Sequence, residues 1–169
     1  DLGKPGTLIH RINPLGRVPA LALDDGSILT ENSAILPYLA DLRPGTPLFA
    51  EAGSIERARI QSWIGFVNSE VHAAAGRALS RPERYSADPA AHDAIRAAGQ
   101  ALLRQAFAPL ELHLSDHEFL VGERFTIADI TAFCAIEFAK LMRFSAGAEG
   151  YTALQAWRDR VAERPGAST

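Results

Sequence analysis

Residues 13–39 read NPLGRVPALALDDGSILTENSAILPYL, and this stretch decides the fold of the first part of the chain. It opens with an Asn-Pro pair and a glycine, which end any regular structure before them. An apolar strand is predicted over 18–23, and the Asp-Asp-Gly sequence after it is typical of a tight turn. A second strand is predicted over 27–30, and polar residues at 31–33 then cap a helix. The stretch therefore predicts a β-hairpin followed directly by a helix.

Two features of this stretch favour ligand binding. Pro19 stands where a strand should begin, so it removes one backbone donor and leaves nearby backbone groups unpaired. If the Val18–Pro19 bond is cis, those groups turn outward and can pair with a peptide-like ligand. At the predicted helix start, the N–H groups and the helix dipole attract a carboxylate, while the Glu31 side chain can hold an ammonium group. We therefore expect a site for the two charges of an amino acid and for a peptide backbone.

The order N-P-x-G-x-V-P-A-L, D-D-G and L-T-E-x-x-A-I-x-x-Y-L resembles the second half of the thioredoxin-like domain of glutathione transferases. The resemblance implies that the Val18 backbone, before a cis Pro19, pairs with the cysteinyl part of glutathione. It also implies that Glu31 and Asn32 bind the γ-glutamyl end. The family most often has Ser, or Gly in some bacterial members, where Asn32 stands, and an Asn amide also donates to a carboxylate. Taken alone, the same residues fit a structural hairpin and capped helix of another α/β domain.

Composition narrows the possible partners. The chain has 169 residues, 47% of them hydrophobic and 22% charged, with a net charge of −3. No basic tract is present, so we expect no nucleic-acid partner. No apolar run approaches the roughly 18 residues that span a bilayer, so we expect no membrane insertion. The single cysteine, Cys134, fits a reducing cytoplasm, and we expect it to be buried and inert.

The chain divides by composition into two parts. Residues 43–53 are rich in Pro and Gly and are predicted to be a linker. Residues 1–42 are predicted to be a partial thioredoxin-like domain of α/β class, and residues 54–169 an all-α domain of long helices, the first over 55–79. A thioredoxin-like domain needs a further β-α-β unit to bury its sheet. In the resembled family that unit carries the catalytic Ser, Tyr or Cys, so the catalytic residue is unknown here and expected upstream of Asp1.

A histidine in the helical part is a candidate auxiliary catalytic group. The run W-x-x-F-x-x-S-E-V-H, which ends at His72, resembles one in the beta class of bacterial glutathione transferases. In that class the histidine projects toward the glutathione sulfur, where an imidazole can accept the thiol proton or hold the thiolate by its charge. The alternative is a histidine on a partly buried helix face with no chemical role.

Other candidate residues are predicted to be structural. Thr126 and Asp129 have the spacing of a helix capping box, and they match a G-x-x-[FY]-[ST]-x-A-D element that is structural in the resembled family. We therefore expect Asp129 to act in folding and not in catalysis. His113 and His117 are four residues apart on a predicted helix, a spacing that suits a metal. No third ligand accompanies them, so no metal site is predicted.

The sequence as a whole resembles a bacterial glutathione transferase of the beta class, seen without its first β-α-β unit. The resemblance implies attack of the glutathione thiolate on a small electrophile, with glutathione as co-substrate, in a cytoplasmic homodimer. Two alternatives stay open. One is a glutathione-dependent thiol–disulfide oxidoreductase or isomerase, and the other is a non-catalytic dimerisation module with the same fold.

Overall fold

The computed structural model describes residues 6–43 and 45–167. The chain forms two compact units, Asp1–Phe49 and Ala50–Thr169. The first unit contains α1 (Leu8–Ile12), β1 (Ala20–Ala22), β2 (Ile28–Thr30) and α2 (Asn32–Asp41). The second contains α3 (Ile55–Phe66), a π-helical segment (Val67–Gly76), α4 (Arg77–Ser80), α5 (His92–Leu114), α6 (Ile127–Leu141) and α7 (Thr152–Ala162), with 3-10 turns at Pro82–Arg84 and Pro89–Ala91.

The predicted hairpin and helix are present in the first unit. Strands β1 and β2 are antiparallel, and Ala20 lies opposite Thr30 at the end far from the turn. At the turn, Oδ1 of Asp25 accepts hydrogen bonds from the Ser27 N–H at 2.8 Å and the Ser27 hydroxyl at 2.6 Å. Strand β1 has three residues and is shorter than predicted, because Pro19 lacks the N–H that an earlier ladder bond would need.

The helix predicted over 55–79 is present as one unbroken helix from Ile55 to Ser80, but it is not α-helical throughout. The helix begins at Ile55, where the Ser54 side chain accepts a hydrogen bond from the Arg57 N–H at 3.1 Å. It then changes to π-helical geometry over Val67–Gly76 before a last α-helical turn. Apolar residues spaced by three and four mark a buried helix face, but they do not specify whether each hydrogen bond spans four residues or five. The sequence pattern was therefore compatible with both geometries.

Helix α6 is the centre of the second unit. The predicted capping box is confirmed, because Thr126 and Asp129 exchange hydrogen bonds at its N-terminus. Both residues are fully buried. Helix α7 and the π-helical segment pack against α6, and both also contact α5. Trp157 of α7 and Phe107 of α5 are among the largest side chains that the core buries completely. Within the described ranges, no helix combines the length and apolarity needed to cross a bilayer.

Candidate functional site

The loop before β1 is fixed by its own side chains. Asn13 is buried, its Nδ2 donates to the Arg17 carbonyl at 2.8 Å, and its Oδ1 accepts from the Leu15 N–H at 3.1 Å. Gly16 has a positive φ of 62°, and a Cβ there would lie 2.3 Å from Nε2 of His10. Only glycine suits that position, because the backbone is left-handed and the imidazole leaves no room. The loop therefore presents the next residue, Val18, in a defined position.

Val18 offers an open peptide group. The Val18–Pro19 bond is cis, and Val18 is 60% exposed. Within the described part of the chain, neither its N–H nor its carbonyl oxygen has a hydrogen-bond partner. A donor and an acceptor on one exposed residue can pair with an extended peptide in the manner of an added strand.

Glu31 occupies the junction between β2 and α2 in an unusual conformation. Its φ is 70° and its ψ is 126°, and it is one of two non-glycine residues with positive φ in the described ranges. Its carbonyl oxygen accepts hydrogen bonds from the N–H groups of Ala34 at 3.0 Å and Ile35 at 2.9 Å. Its side chain makes no capping hydrogen bond and is exposed. The carboxylate is therefore available to a ligand, and a strained backbone of this kind is typical of functional positions.

The first residues of α2 present a positive helix end that is suited to an anion. Asn32 is the first helical residue, and Ser33, the second, is exposed. The N–H groups of a first helical turn point away from the helix and carry the positive end of its dipole. The Glu31 carboxylate stands beside this positive end, so the junction presents both signs of charge. A free amino acid carries the complementary pair, an ammonium and a carboxylate on one carbon.

The hairpin register brings these groups together. Ala20 pairs with Thr30, so Val18 and Asn32 each lie two residues beyond the last pair, at the same end of the hairpin. The turn around Asp25 lies at the opposite end. The open peptide group of Val18 and the charged junction therefore lie at one end of the hairpin, and a short peptide with a free amino acid end carries groups complementary to both.

His72 belongs to the second unit and lies in the π-helical segment. Its imidazole packs against the ring of Phe138, with centroids 5.3 Å apart and an interplanar angle of 46°. Partial burial, together with the positive charge of Arg77, lowers the pKa of His72 below 6.5. The imidazole is therefore neutral at neutral pH, the form that accepts a proton.

The histidine pair at the end of α5 makes structural hydrogen bonds. The rings of His113 and His117 stack with centroids 4.2 Å apart. Nε2 of His113 lies 3.3 Å from the Phe119 carbonyl oxygen, and Nδ1 of His117 lies 2.9 Å from the His113 carbonyl oxygen. A carbonyl oxygen only accepts, so each of these nitrogens carries the proton. Among the described residues, no group of three or more His, Cys, Asp or Glu side chains is arranged to hold a metal ion.

The predicted burial of Cys134 is wrong, since the residue is exposed on α6. The sequence of α6 is almost wholly apolar, so it does not show that Cys134 lies on the exposed side of the helix. Desolvation of the sulfur and the nearby charge of Glu137 nevertheless raise the pKa of the Cys134 thiol above 9.0. The thiol stays protonated at neutral pH and is a poor nucleophile.

Several residues that hold the candidate site were not identified from the sequence. The Asn-Pro pair indicates only a break in regular structure, although the Asn13 side chain fixes the loop before Val18. The positive φ of Glu31 has no sequence signal, because glutamate is not enriched in left-handed backbone. Phe138 was one apolar residue of α6 among many. The sequence does contain one signal: Gly76 lies inside a helical pattern, where a glycine often allows another side chain to pack closely.

Comparisons with known proteins match the chain to family models and to relatives. The family model described as "Glutathione S-transferase, C-terminal domain" matches residues 77–165, and "Glutathione S-transferase, N-terminal domain" matches residues 1–42. Glutathione S-transferase GstA of Escherichia coli O157:H7 is 34% identical over 154 residues, which cover 91% of this chain and 72% of that protein. Elongation factor 1-gamma 1 of Oryza sativa subsp. japonica is 33% identical over 134 residues, which cover 78% of this chain and 31% of that protein.

Solved structures give the same result. A sphingomonad glutathione S-transferase complexed with glutathione is 34% identical, with a TM-score of 0.81, and the match covers 94% of this chain and 74% of that one. The beta-class glutathione S-transferase of Sphingomonas chungbukensis is 35% identical, with a TM-score of 0.81 and coverage of 92% and 73%. Sequence models, relatives and fold all agree, and the chain belongs to the glutathione S-transferase family.

Proposed function

We propose that the hairpin end of the first unit binds glutathione, and that the protein catalyses attack of the glutathione thiolate on a small electrophile. The observation that carries the proposal is the open Val18 peptide group beside the charged junction at Glu31. Glutathione presents a peptide backbone and a γ-glutamyl end with one ammonium and one carboxylate. The neighbouring features of the hairpin end are complementary to these groups.

Each residue has a distinct role in this proposal. The N–H and carbonyl of Val18, before Pro19, pair with the cysteinyl part of glutathione. The Glu31 carboxylate holds the γ-glutamyl ammonium group. Asn32 and the N-terminus of α2 bind the γ-glutamyl carboxylate, which is the ligand that a helix N-terminus attracts. The fixed loop around Asn13 supports the proposal, because a preformed backbone loses little freedom on binding.

His72 is proposed as an auxiliary catalytic residue. The reaction requires the glutathione thiol, with an ordinary pKa of about 8.5, to lose its proton near neutral pH. The neutral imidazole of His72 can accept that proton, and the resulting imidazolium can stabilise the thiolate. The position of the principal catalytic Ser, Tyr or Cys upstream of Asp1 stays a prediction. So do the domain limits 1–42, 43–53 and 54–169, the homodimer and the cytoplasmic location.

A second candidate function is a non-catalytic module with this fold. The similarity to elongation factor 1-gamma 1 favours it, because the match covers only 31% of that longer protein. A module of this kind does not need a working glutathione site. Thiol–disulfide exchange or isomerisation with glutathione is a further alternative, and it uses the same hairpin end. Affinity for glutathione separates the module from both enzymes, and an activity assay separates the enzymes from each other.

The test is calorimetric titration of the full-length protein with glutathione, for the wild type, Glu31→Gln and Asp24→Asn. Asp24 is an exposed carboxylate at the turn end of the same hairpin, so it is a matched control for loss of one negative charge. We expect Glu31→Gln to weaken binding by roughly tenfold or more, since it removes a charge-assisted hydrogen bond. We expect Asp24→Asn to bind as the wild type does.

Equal affinity for the wild type and Glu31→Gln would overturn the site assignment. No measurable binding by the wild type would support the non-catalytic module. Binding without conjugation of a chlorinated dinitrobenzene, but with reduction of a glutathione mixed disulfide, would support the oxidoreductase.

A further inference from the structure

The helix that carries His72 is unusual where the histidine lies. It is α-helical over Ile55–Phe66 and again over Arg77–Ser80, and the ten residues between, Val67–Gly76, are π-helical. π-Helical geometry is rare, and it mostly occurs as single-turn insertions that are frequent at functional sites. The wider turn changes which side chains share a face, so the direction of His72 depends on whatever stabilises this segment.

Phe138 of α6 contacts the π-helical segment at two points. Its ring centroid lies 5.3 Å from that of His72. A Cβ added to Gly76 would lie 3.3 Å from Cε1 and 3.5 Å from Cδ1 of the same ring, and 3.2 Å from the Val71 carbonyl oxygen. The ring therefore occupies the space that glycine leaves, and it is held there against the imidazole. A larger residue at position 76 must displace the ring or the backbone.

His72 is exposed, and the Phe138 ring covers one side of its imidazole. Arg77 is the charged group that acts on it, and burial has the larger effect on its pKa. Glu70, on the same segment, accepts a hydrogen bond from the Ser69 hydroxyl at 3.0 Å. Helix α6 presents the uncharged Phe138 ring. The other helices packed against the segment bury uncharged residues, among them Ile64 of α3, Leu79 of α4 and Leu103 of α5.

We propose that Phe138 and Gly76 are positioning residues for His72: the aromatic ring, seated against the glycine, fixes the orientation of the imidazole and shields one side of it from water. This inference rests on the proposed auxiliary role of His72. Neither positioning residue is assigned a contact with the substrate. Their effect on the reaction passes through the imidazole, whose alignment a proton acceptor requires.

The test compares the full-length wild type with Phe138→Leu and Phe133→Leu. Phe133 is on the same helix and contacts Arg158, so its variant is a matched control for the loss of a ring from α6. NMR titration of the imidazole Cε1–H signals reports on the five histidines, and His72→Ala identifies the signal of His72. We expect the His72 pKa to rise in Phe138→Leu, since one side of the imidazole becomes hydrated, and to stay unchanged in Phe133→Leu.

Kinetics provide the second readout. We expect kcat to fall roughly tenfold in Phe138→Leu, with KM for glutathione within about twofold of the wild-type value, because the role proposed for the imidazole concerns the thiol proton and not the binding of glutathione. Gly76→Ala, which keeps the ring but moves it, should change both readouts in the same direction. Either variant decides the question if the other fails to fold.

An unchanged His72 titration together with an unchanged kcat in a folded Phe138→Leu or Gly76→Ala variant would overturn the inference. If kcat of His72→Ala equals that of the wild type, His72 has no catalytic role. In that case the titration still measures whether Phe138 positions the imidazole, so the two failures are distinguishable.

Discussion

The indole Nε1 of Trp157 donates a hydrogen bond to Oδ1 of Asp129 at 3.2 Å, and it joins the last helix to the N-terminal cap of α6. The same carboxylate accepts from the Leu120 N–H at 3.1 Å and from the Thr126 N–H at 2.9 Å. The Thr126 hydroxyl is a fourth donor, at 3.1 Å. Burial alone raises the pKa of Asp129, and these hydrogen bonds oppose that effect. The carboxylate is thus the shared acceptor of a loop, a cap and a distant helix.

Asp129→Ala should lower the free energy of unfolding by on the order of 3 kcal/mol or more, because it leaves several buried donors without an acceptor. Urea denaturation measures this change. Asp116→Ala, an exposed aspartate at the end of α5, is the control and should change stability little. Glutathione affinity of the folded Asp129→Ala protein should equal that of the wild type. Normal thermal stability in Asp129→Ala would contradict the structural role.

Glu111 of α5 caps α7 from outside that helix. Its Oε2 accepts from the Leu154 N–H at 2.7 Å, and its Oε1 accepts from the Ala153 N–H at 3.0 Å. Glu111→Ala should cost about 1–2 kcal/mol of stability, the usual effect of losing a helix cap with a favourable dipole interaction. Chemical denaturation of Glu111→Ala and of the exposed control Glu118→Ala provides the comparison. Equal stability of the two variants would show that the cap contributes nothing.

Arg143 closes α6 in a conformation that favours glycine. Its φ is 62°. The Phe144 N–H bonds to the Ala139 carbonyl at 3.0 Å, and the Arg143 N–H bonds to the Lys140 carbonyl at 2.9 Å, which is the Schellman pattern. Arg143→Gly should therefore raise the free energy of unfolding by about 1 kcal/mol. Arg143→Ala keeps the unfavourable φ and should give no such gain. A melting temperature for Arg143→Gly no higher than that of Arg143→Ala would refute the prediction.

The histidine pair predicts a pH dependence of stability. Burial first, and then the neighbouring His117, lower the pKa of His113 below 6.5 in the folded chain. Between the folded and unfolded pKa values the unfolded chain binds more protons, so stability is lost as the pH falls below about 6.5. His72 shifts in the same direction. His113→Asn should reduce the slope of unfolding free energy against pH below 6.5, measured from urea titrations at several pH values. A slope equal to that of the wild type would contradict this assignment.

Local signals explain what the sequence predicted correctly. The Asp25 turn, the helix start after Glu31 and the box of Thr126 and Asp129 each depend on residues a few positions apart. Such interactions form wherever the local chain allows them, so spacing and residue type identify them.

The features that were missed depend on contacts distant in sequence or on backbone choices without a residue signature. The apolar residues of the π-helical segment Val67–Gly76 are spaced as in an α-helix, so their spacing does not indicate the π-helical geometry. Phe138 meets Gly76 from another helix, and the exposure of Cys134 is set by which faces of α6 its neighbours cover. The positive φ values of Glu31 and Arg143 occur in residue types that rarely adopt them. None of these can be derived from spacing alone.

The bond between Trp157 and Asp129 also has a consequence for synthesis on the ribosome. The two residues are separated by 28 positions, and the tryptophan is the later one. At about 5–20 residues per second, the ribosome adds Trp157 roughly one to six seconds after Asp129. Throughout that interval the nascent helix α6 carries an aspartate that lacks one of its final donors. The second unit therefore completes its core only after α7 has emerged, and until then the apolar faces of α6 need protection from other chains.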